Sequence, residues 1–212
     1  KSLKEQLEIM EEYTRVHKEG AELSKESREL NCLNVLYPRM FRKIEPQDKI
    51  AGRLDFLPVG FGCVTSLGGV GHYCVFNKLR AFQAKLENEE DKKRVDALYD
   101  YWLDHDLKTI YCKEMLTETT VGRFIDPKYP LIATARLSGM MLDYPKLLEK
   151  GIGGLRQEIF EKFKKDQDNE FYKAALGCLD IFVDSAEALK QKALEQSHEE
   201  NGERKKELLQ MA

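Results

Sequence analysis

Asp143-Tyr144-Pro145-Lys146-Leu147-Leu148-Glu149-Lys150-Gly151-Ile152-Gly153-Gly154-Leu155 is the stretch on which the fold turns. Proline in the first turn of a helix costs little, because the N–H it lacks would have no partner there, and Asp143 just ahead is a good cap. Beyond the proline, Leu147, Leu148, Ile152, Leu155, Ile159 and Phe163 recur at helical spacing. Three glycines interrupt that pattern. Each is about 1 kcal/mol worse than alanine inside a helix. Gly151, Gly153 and Gly154 therefore imply either a break or very close packing against another element.

C-terminal to this stretch, residues 169 to about 196 read as a long helix whose buried stripe is Phe171, Ala175, Cys178, Phe182 and Ala186. The polar link Ser197-His198-Glu199-Glu200-Asn201-Gly202 leads to a last helix, Glu203 to Ala212. N-terminal to it, Leu131-Ile132-Ala133-Thr134-Ala135 is short and apolar, as a buried strand would be, after a break at Asp126-Pro127-Lys128-Tyr129-Pro130. Helical spacing marks 77–88, 91–104 and 106–118. The glycines at 60, 62, 68, 69 and 71 make a shaped loop. Residues 3 to 30 read as one amphipathic helix carrying Leu3, Leu7, Met10, Tyr13 and Val16. A shorter helix from Asn31 ends or kinks near Tyr37, because of Pro38, and the chain turns again at Pro46.

The composition narrows the function. With 212 residues, 42% apolar and 33% charged, the chain is an ordinary globular one, and it reads as a single domain, 1–212, unfinished at its C-terminal end. A net charge of -3 gives no reason to expect nucleic acid or an anionic membrane as partner. No apolar run approaches the roughly 20 residues a bilayer requires, and the charged N-terminus lacks the apolar stretch of a signal peptide. The expected location is the cytoplasm. Cys32, Cys63, Cys74, Cys112 and Cys178 are odd in number and widely spaced, which suggests neither a disulfide framework nor a zinc site. The glycine loop lacks the Gly-Lys-Ser/Thr ending of a phosphate-binding loop. Asp104-His105-Asp106 has the look of a metal or acid–base cluster, but an aspartate at a helix start beside a surface histidine accounts for it, and a metal needs more ligands.

Four stretches together resemble one family. Pro46-Gln47-Asp48-Lys49-Ile50-Ala51-Gly52 is similar to the "Pro…Glu-Leu-Ile-Val-Gly" landmark of the glycyl-radical enzymes, the pyruvate formate-lyase-like group. The stretch 143–155 resembles their "Asp-Tyr-x-Lys-Val-Leu-x-x-Gly-Leu-x-Gly-Ile" helix. Phe171-Tyr172-Lys173-Ala174 looks like the start of the long helix that follows, and residues 204–212 are similar to "Arg-x-x-Glu-Leu-x-x-Ile-Ala". The resemblance implies a mainly α fold with few short strands, the helical N-terminal part of a larger α/β barrel. It implies a parent lyase or dehydratase that cleaves C–C or C–heteroatom bonds of a small organic substrate by thiyl-radical hydrogen abstraction. The parent's glycyl radical would be installed by an S-adenosylmethionine-dependent iron–sulfur activating enzyme.

The same resemblance implies that this chain lacks the chemistry itself, because neither the Arg-Val-Ser-Gly-Tyr-like radical motif nor a thiyl-loop cysteine occurs in it. No catalytic residue, metal ligand or bound cofactor is therefore expected here. The partners implied are the substrate, the activating enzyme and the remainder of the barrel, with a homodimer left open. The family places an arginine or histidine four residues before the Asp-Tyr pair, touching the substrate. Gly139 stands there, beside Met140, so a substrate shaped differently from pyruvate or glycerol is implied. Arg136, the nearest cation, is either a bidentate anion partner or a structural ion-pair residue. The alternative to an enzyme portion is a non-catalytic helical binding or scaffold protein of the same descent. A complete small metal- or nucleotide-dependent enzyme has no motif to support it.

Overall fold

The computed structural model describes residues 1–54, 76–106, 110, 113–114, 116–118 and 143–212. The chain is mainly α. Seven α-helices stand among the described residues: α1 (Leu3–Glu19), α2 (Lys25–Leu36), α3 (Phe76–Gln83), α4 (Glu89–His105), α5 (Tyr144–Lys165), α6 (Glu170–Glu199) and α7 (Gly202–Met211). Among those residues β structure is confined to an isolated antiparallel bridge between Phe41 and Leu54. Two compact units are formed, one by Lys1–Thr14 with Phe56–Met141 and the other by Arg15–Asp55 with Leu142–Ala212. No described helix is long and apolar enough to cross a membrane.

In the first unit, α1 opens with a reciprocal cap: the Glu5 N–H donates to Ser2 Oγ at 3.1 Å and the Ser2 N–H donates to the Glu5 carboxylate at 2.6 Å. Leu7, Met10 and Tyr13 are buried on one face, as their spacing predicts. On α4, Val95, Leu98 and Trp102 are buried. The fully enclosed Trp102 ring lies 6.0 Å from that of Tyr13, and its Nε1–H donates to Thr14 Oγ1 at 2.8 Å. Arg94 completes the pairing, donating through Nε and Nη2 to the two Glu11 carboxylate oxygens at 2.7 and 2.6 Å. This fork-to-fork geometry fixes register as well as charge.

The second unit is built around α6, which packs against α2, α5 and α7. Leu30 of α2 sits so close to Gly177 that an added Cβ there would come within 2.7 Å of it. Ser27 Oγ donates to Glu170 at 2.6 Å, tying the starts of α2 and α6 together. The segment from Ile44 is closed by a turn. The Asp48 N–H donates to the Glu45 carbonyl at 3.0 Å with Pro46 at the second position, where proline's fixed φ suits a turn.

Two expectations are corrected. Residues 3–30 are not one helix: α1 stops at Glu19 and α2 starts at Lys25. A Cβ on Gly20 would stand 3.2 Å from the Val16 carbonyl oxygen, and Ser24 Oγ caps the new helix by accepting from the Ser27 N–H at 3.1 Å. A glycine followed by a capping serine ends one helix and begins another. The buried stripe of α6 is also not the expected one. Ala174, Ile181, Ser185, Ala193 and Ser197 are buried, whereas Phe171 and Phe182 are 63% and 44% exposed. The expected glycine loop and the strand at 131–135 lie outside the described residues.

Candidate functional site

Arg136, Gly139 and Met140, the residues singled out for substrate contact, lie outside the described residues, as do Cys63, Cys74 and Cys112. The polypeptide that carries the substrate candidates re-enters the described structure at Asp143, three residues after Met140. There the backbone is fixed firmly. Asp143 Oδ1 accepts from the Lys146 N–H at 3.1 Å and its carbonyl accepts from the Leu147 N–H at 2.9 Å, with Pro145 in the first turn. The cap and the proline stand as their sequence positions predict.

Of the glycines of 143–155, Gly151 makes a break, whereas a Cβ on Gly154 would come within 2.8 Å of the Lys150 Cβ. Gly151 has φ 61° and ψ -177°, a conformation essentially restricted to glycine. An added Cβ at Gly151 or Gly153 would meet nothing within 4 Å, so close packing is not their reason. The kink is bridged by charge. Lys146 from before it and Glu158 from beyond it pair at 2.7 Å, and Lys150 reaches the second Glu158 oxygen at 3.0 Å. Hydrogen bonds from Lys146 and Lys150 hold the Glu158 carboxyl down at about 2. The same partner raises the Lys150 ammonium above its ordinary value. Arg156 anchors the second half of α5 to α6 through Asp180 at 2.9 Å. This machinery holds backbone.

Asp104-His105-Asp106 does not converge on a point. Asp104 pairs with Lys113 at 2.8 Å, the His105 ring stacks on Tyr101 at 4.1 Å, and Asp106 is buried at the end of α4 with its carbonyl accepting from the Ile110 N–H. Among the described residues no group of three or more His, Cys, Asp or Glu side chains is placed to hold a metal. Of the described cysteines, Cys32 is buried and Cys178 half-buried, and burial pushes the Cys178 thiol up.

Two of the four motif stretches, about 150 residues apart, meet. Arg204 donates to the carbonyls of Glu45 and Asp48 at 2.8 Å each, and Glu207 pairs with Lys49. Asp48 is buried, pairs with Arg53, and accepts from the Glu45 N–H at 2.8 Å. Leu208 joins Ile44 and Ala193 in a small core flanked by Ala51, Met211 and Ala212. Each defined position of "Arg-x-x-Glu-Leu-x-x-Ile-Ala" thus faces the 44–52 segment or its core, while Lys205, Lys206, Leu209 and Gln210 are exposed. Sequence reading gave Arg204 and Asp48 no role. The available signal was their place in two motifs that both lack reactive residues.

No curated protein matches this chain. Among solved structures it is similar to a glycyl radical enzyme from Archaeoglobus fulgidus, at 18% identity and a TM-score of 0.70. The match covers 100% of this chain and 30% of that one. The chain thus spans under a third of that relative's length, and the likeness concerns the fold. The sequence model described as pyruvate formate lyase-like matches residues 1–212 throughout. The chain belongs to the pyruvate formate-lyase-like family of glycyl-radical enzymes.

Proposed function

We propose that residues 1–212 form the N-terminal helical portion of a cytoplasmic glycyl-radical lyase or dehydratase, as one domain that supports the catalytic barrel and presents substrate-contacting residues to it. The family match over all 212 residues carries this reading. When the parent is activated, its glycyl radical would supply a thiyl that abstracts hydrogen from a small organic substrate. This chain contributes position. The cap at Asp143, the proline after it and the Lys146–Glu158 bridge give the segment ending at Met140 a rigid exit. Arg136 would hold an anionic group of the substrate with paired hydrogen bonds. Gly139 would leave room for a bulkier group, and Met140 would give it an apolar wall.

Two measurements test this. The encoding gene, read past the codon for Ala212, is expected to continue into a cysteine loop and a glycyl-radical motif, and the activated product is expected to show an organic radical by electron paramagnetic resonance. A stop codon directly after Ala212 would sink the reading. In the active parent, Arg136→Ala is expected to raise KM by about tenfold to a hundredfold, the worth of one charged hydrogen-bonded contact of roughly 1.5–3 kcal/mol. An unchanged KM removes Arg136 from the site.

A further inference from the structure

Asn201-Gly202, between α6 and α7, is the place in this chain where glycine follows asparagine. An asparagine side chain is chemically stable only while the next backbone nitrogen stays away from its amide carbon. A bulky following residue hinders that approach, and a hydrogen bond to the side chain holds it elsewhere. Asn88 and Asn169 have both protections. Each precedes a glutamate and caps its helix: Asn88 Oδ1 accepts from the Glu90 N–H at 2.8 Å, and Asn169 Oδ1 accepts from the Phe171 N–H at 3.1 Å. Asn31 and Asn34 lie inside α2, where helical backbone binds the following N–H a turn back. Asn201 has neither protection. It stands at the cap position of α7, yet its side chain makes no cap hydrogen bond. A Cβ added to Gly202 would meet nothing within 4 Å, so the approach is open. Both residues are exposed to water, and the Gly202 N–H, first in its helix, has no acceptor within that helix. The junction holds Gly202 at φ 60°, which other residues rarely adopt, so the glycine is required where it is most reactive.

We infer that Asn201 is a site of spontaneous deamidation, closed by the Gly202 nitrogen, and that its isoaspartyl product loosens α7 from the 44–52 segment. The Gly202 nitrogen gives up its proton and attacks Asn201 Cγ. The new N–Cγ bond makes a five-membered succinimide as the Cγ–Nδ2 bond breaks, and Nδ2 leaves with the proton as ammonia. Water then opens the ring, and nothing is oxidised or reduced. Opening one way gives aspartate, which suits a helix cap. Opening the other way gives isoaspartate, whose main chain runs through Cβ and Cγ and is one carbon longer. Arg204 lies three residues on, and its bonds to the Glu45 and Asp48 carbonyls, at 2.8 Å each, depend on where α7 begins. An inserted methylene displaces that start. The inference is independent of the reaction that the parent performs.

The test is to age the full-length parent at mildly alkaline pH beside a synthetic peptide of residues 196–206, and to map both by mass spectrometry with fragmentation that separates isoaspartate from aspartate. Asn201 in the native protein is expected to convert within about threefold of its rate in the peptide, because an exposed junction between helices opens at little cost. Asn88 and Asn169 are expected to stay intact. An Asn201 that survives in the protein while the peptide converts overturns the inference, and so does equal conversion of Asn88 or Asn169. Hydrogen exchange then reads the consequence. In the isoaspartyl form, residues 203–211 are expected to exchange at least about tenfold faster than in Asn201→Asp, which carries the same charge without the extra carbon. Equal exchange overturns the loosening of α7. Asn201→Ser keeps a capping side chain and has no amide to lose, so its α7 is expected not to change with age; a loosening that persists there overturns the assignment to Asn201.

Discussion

Helices α4 and α5 are written in much the same alphabet and meet opposite fates. Both are amphipathic, both start from a side-chain cap, and both are laced with ion pairs. Yet α4 buries Val95, Leu98 and Trp102, while α5, five residues longer, buries nothing fully. The difference is not in propensity. Most of a helix's stability in a protein comes from what its apolar face packs against. α4 has that surface within the described chain, in Tyr13, Thr14 and Glu11 of α1. Among the described residues α5 has only one flank covered, by α6, which leaves Leu147, Ile152, Leu155, Ile159 and Phe163 half-buried.

The sharpest way to break this contrast is to truncate one apolar side chain on each helix. Trp102→Ala removes a wholly enclosed ring and its bond to Thr14, and is expected to destabilise the protein by about 3–5 kcal/mol. Leu148→Ala in these 212 residues is expected to stay within about 0.5 kcal/mol, as for any solvated position. Urea unfolding of both variants checks the pair. Comparable losses would mean that Leu148 is packed after all.

A second test asks whether a short helix can be held by its polar face. α7 has ten residues and one buried side chain, Leu208, yet Arg204 makes two bonds to backbone carbonyls of the 44–52 segment. Arg204→Ala is expected to cost about 2 kcal/mol, the value of hydrogen bonds made by a charged donor. Arg204→Lys is expected to recover little of it, since an ammonium cannot reproduce the guanidinium fork. Hydrogen exchange should then show α7 opening before α6.

A third pair of variants works within α5. Gly151→Ala forces a Cβ into a glycine-only conformation and is expected to cost about 1–3 kcal/mol. Gly153→Ala, two residues on, has helical backbone and open space around it, and is expected to be neutral or stabilising by up to about 1 kcal/mol. Equal effects would remove the kink as the reason for the first glycine.

The features legible in the sequence are those set by nearest neighbours. Asp143 with Pro145 announced the start of α5, Asn169 the start of α6, and Pro46 a turn, because each acts on backbone groups within a few residues. The break between α1 and α2 was written in Gly20 and Ser24, but the regular recurrence of apolar residues from Leu3 to Val16 outweighed those two signals. The choice between the two stripes of α6 was not legible. Both have helical spacing, and only the arrival of α2 at Gly177 and of the 44–52 segment near Ala193 decides which is covered first. Of the candidate site, the cap after Met140 is as the sequence predicts. The clasp from Arg204 to Glu45 and Asp48 joins residues more than 150 positions apart, a distance over which spacing carries no information.

The smallest expected effect is electrostatic, and it asks how the two halves of α5 stay aligned across Gly151. The Glu158 carboxyl is drawn from its ordinary value near 4.5 to about 2, first by its hydrogen bond to Lys146 and then by that to Lys150. A carboxyl with a lowered folded-state value stabilises the fold above its unfolded value, and that contribution disappears as pH falls through the folded one. Between pH 4.5 and 2, therefore, the Lys146–Glu158 bridge weakens and the kink loses its splint. These groups are solvated, so added salt should mute the effect. Glu158→Gln abolishes it at every pH. The expected outcome is that hydrogen exchange in residues 144–150 quickens on acidification in the native protein, and that Glu158→Gln shows the quickened rate already at neutral pH. An acid response that survives the substitution would place the splint elsewhere. The nearest candidate is the Arg156–Asp180 pair, which ties α5 to α6 beyond the kink and cannot align its first half.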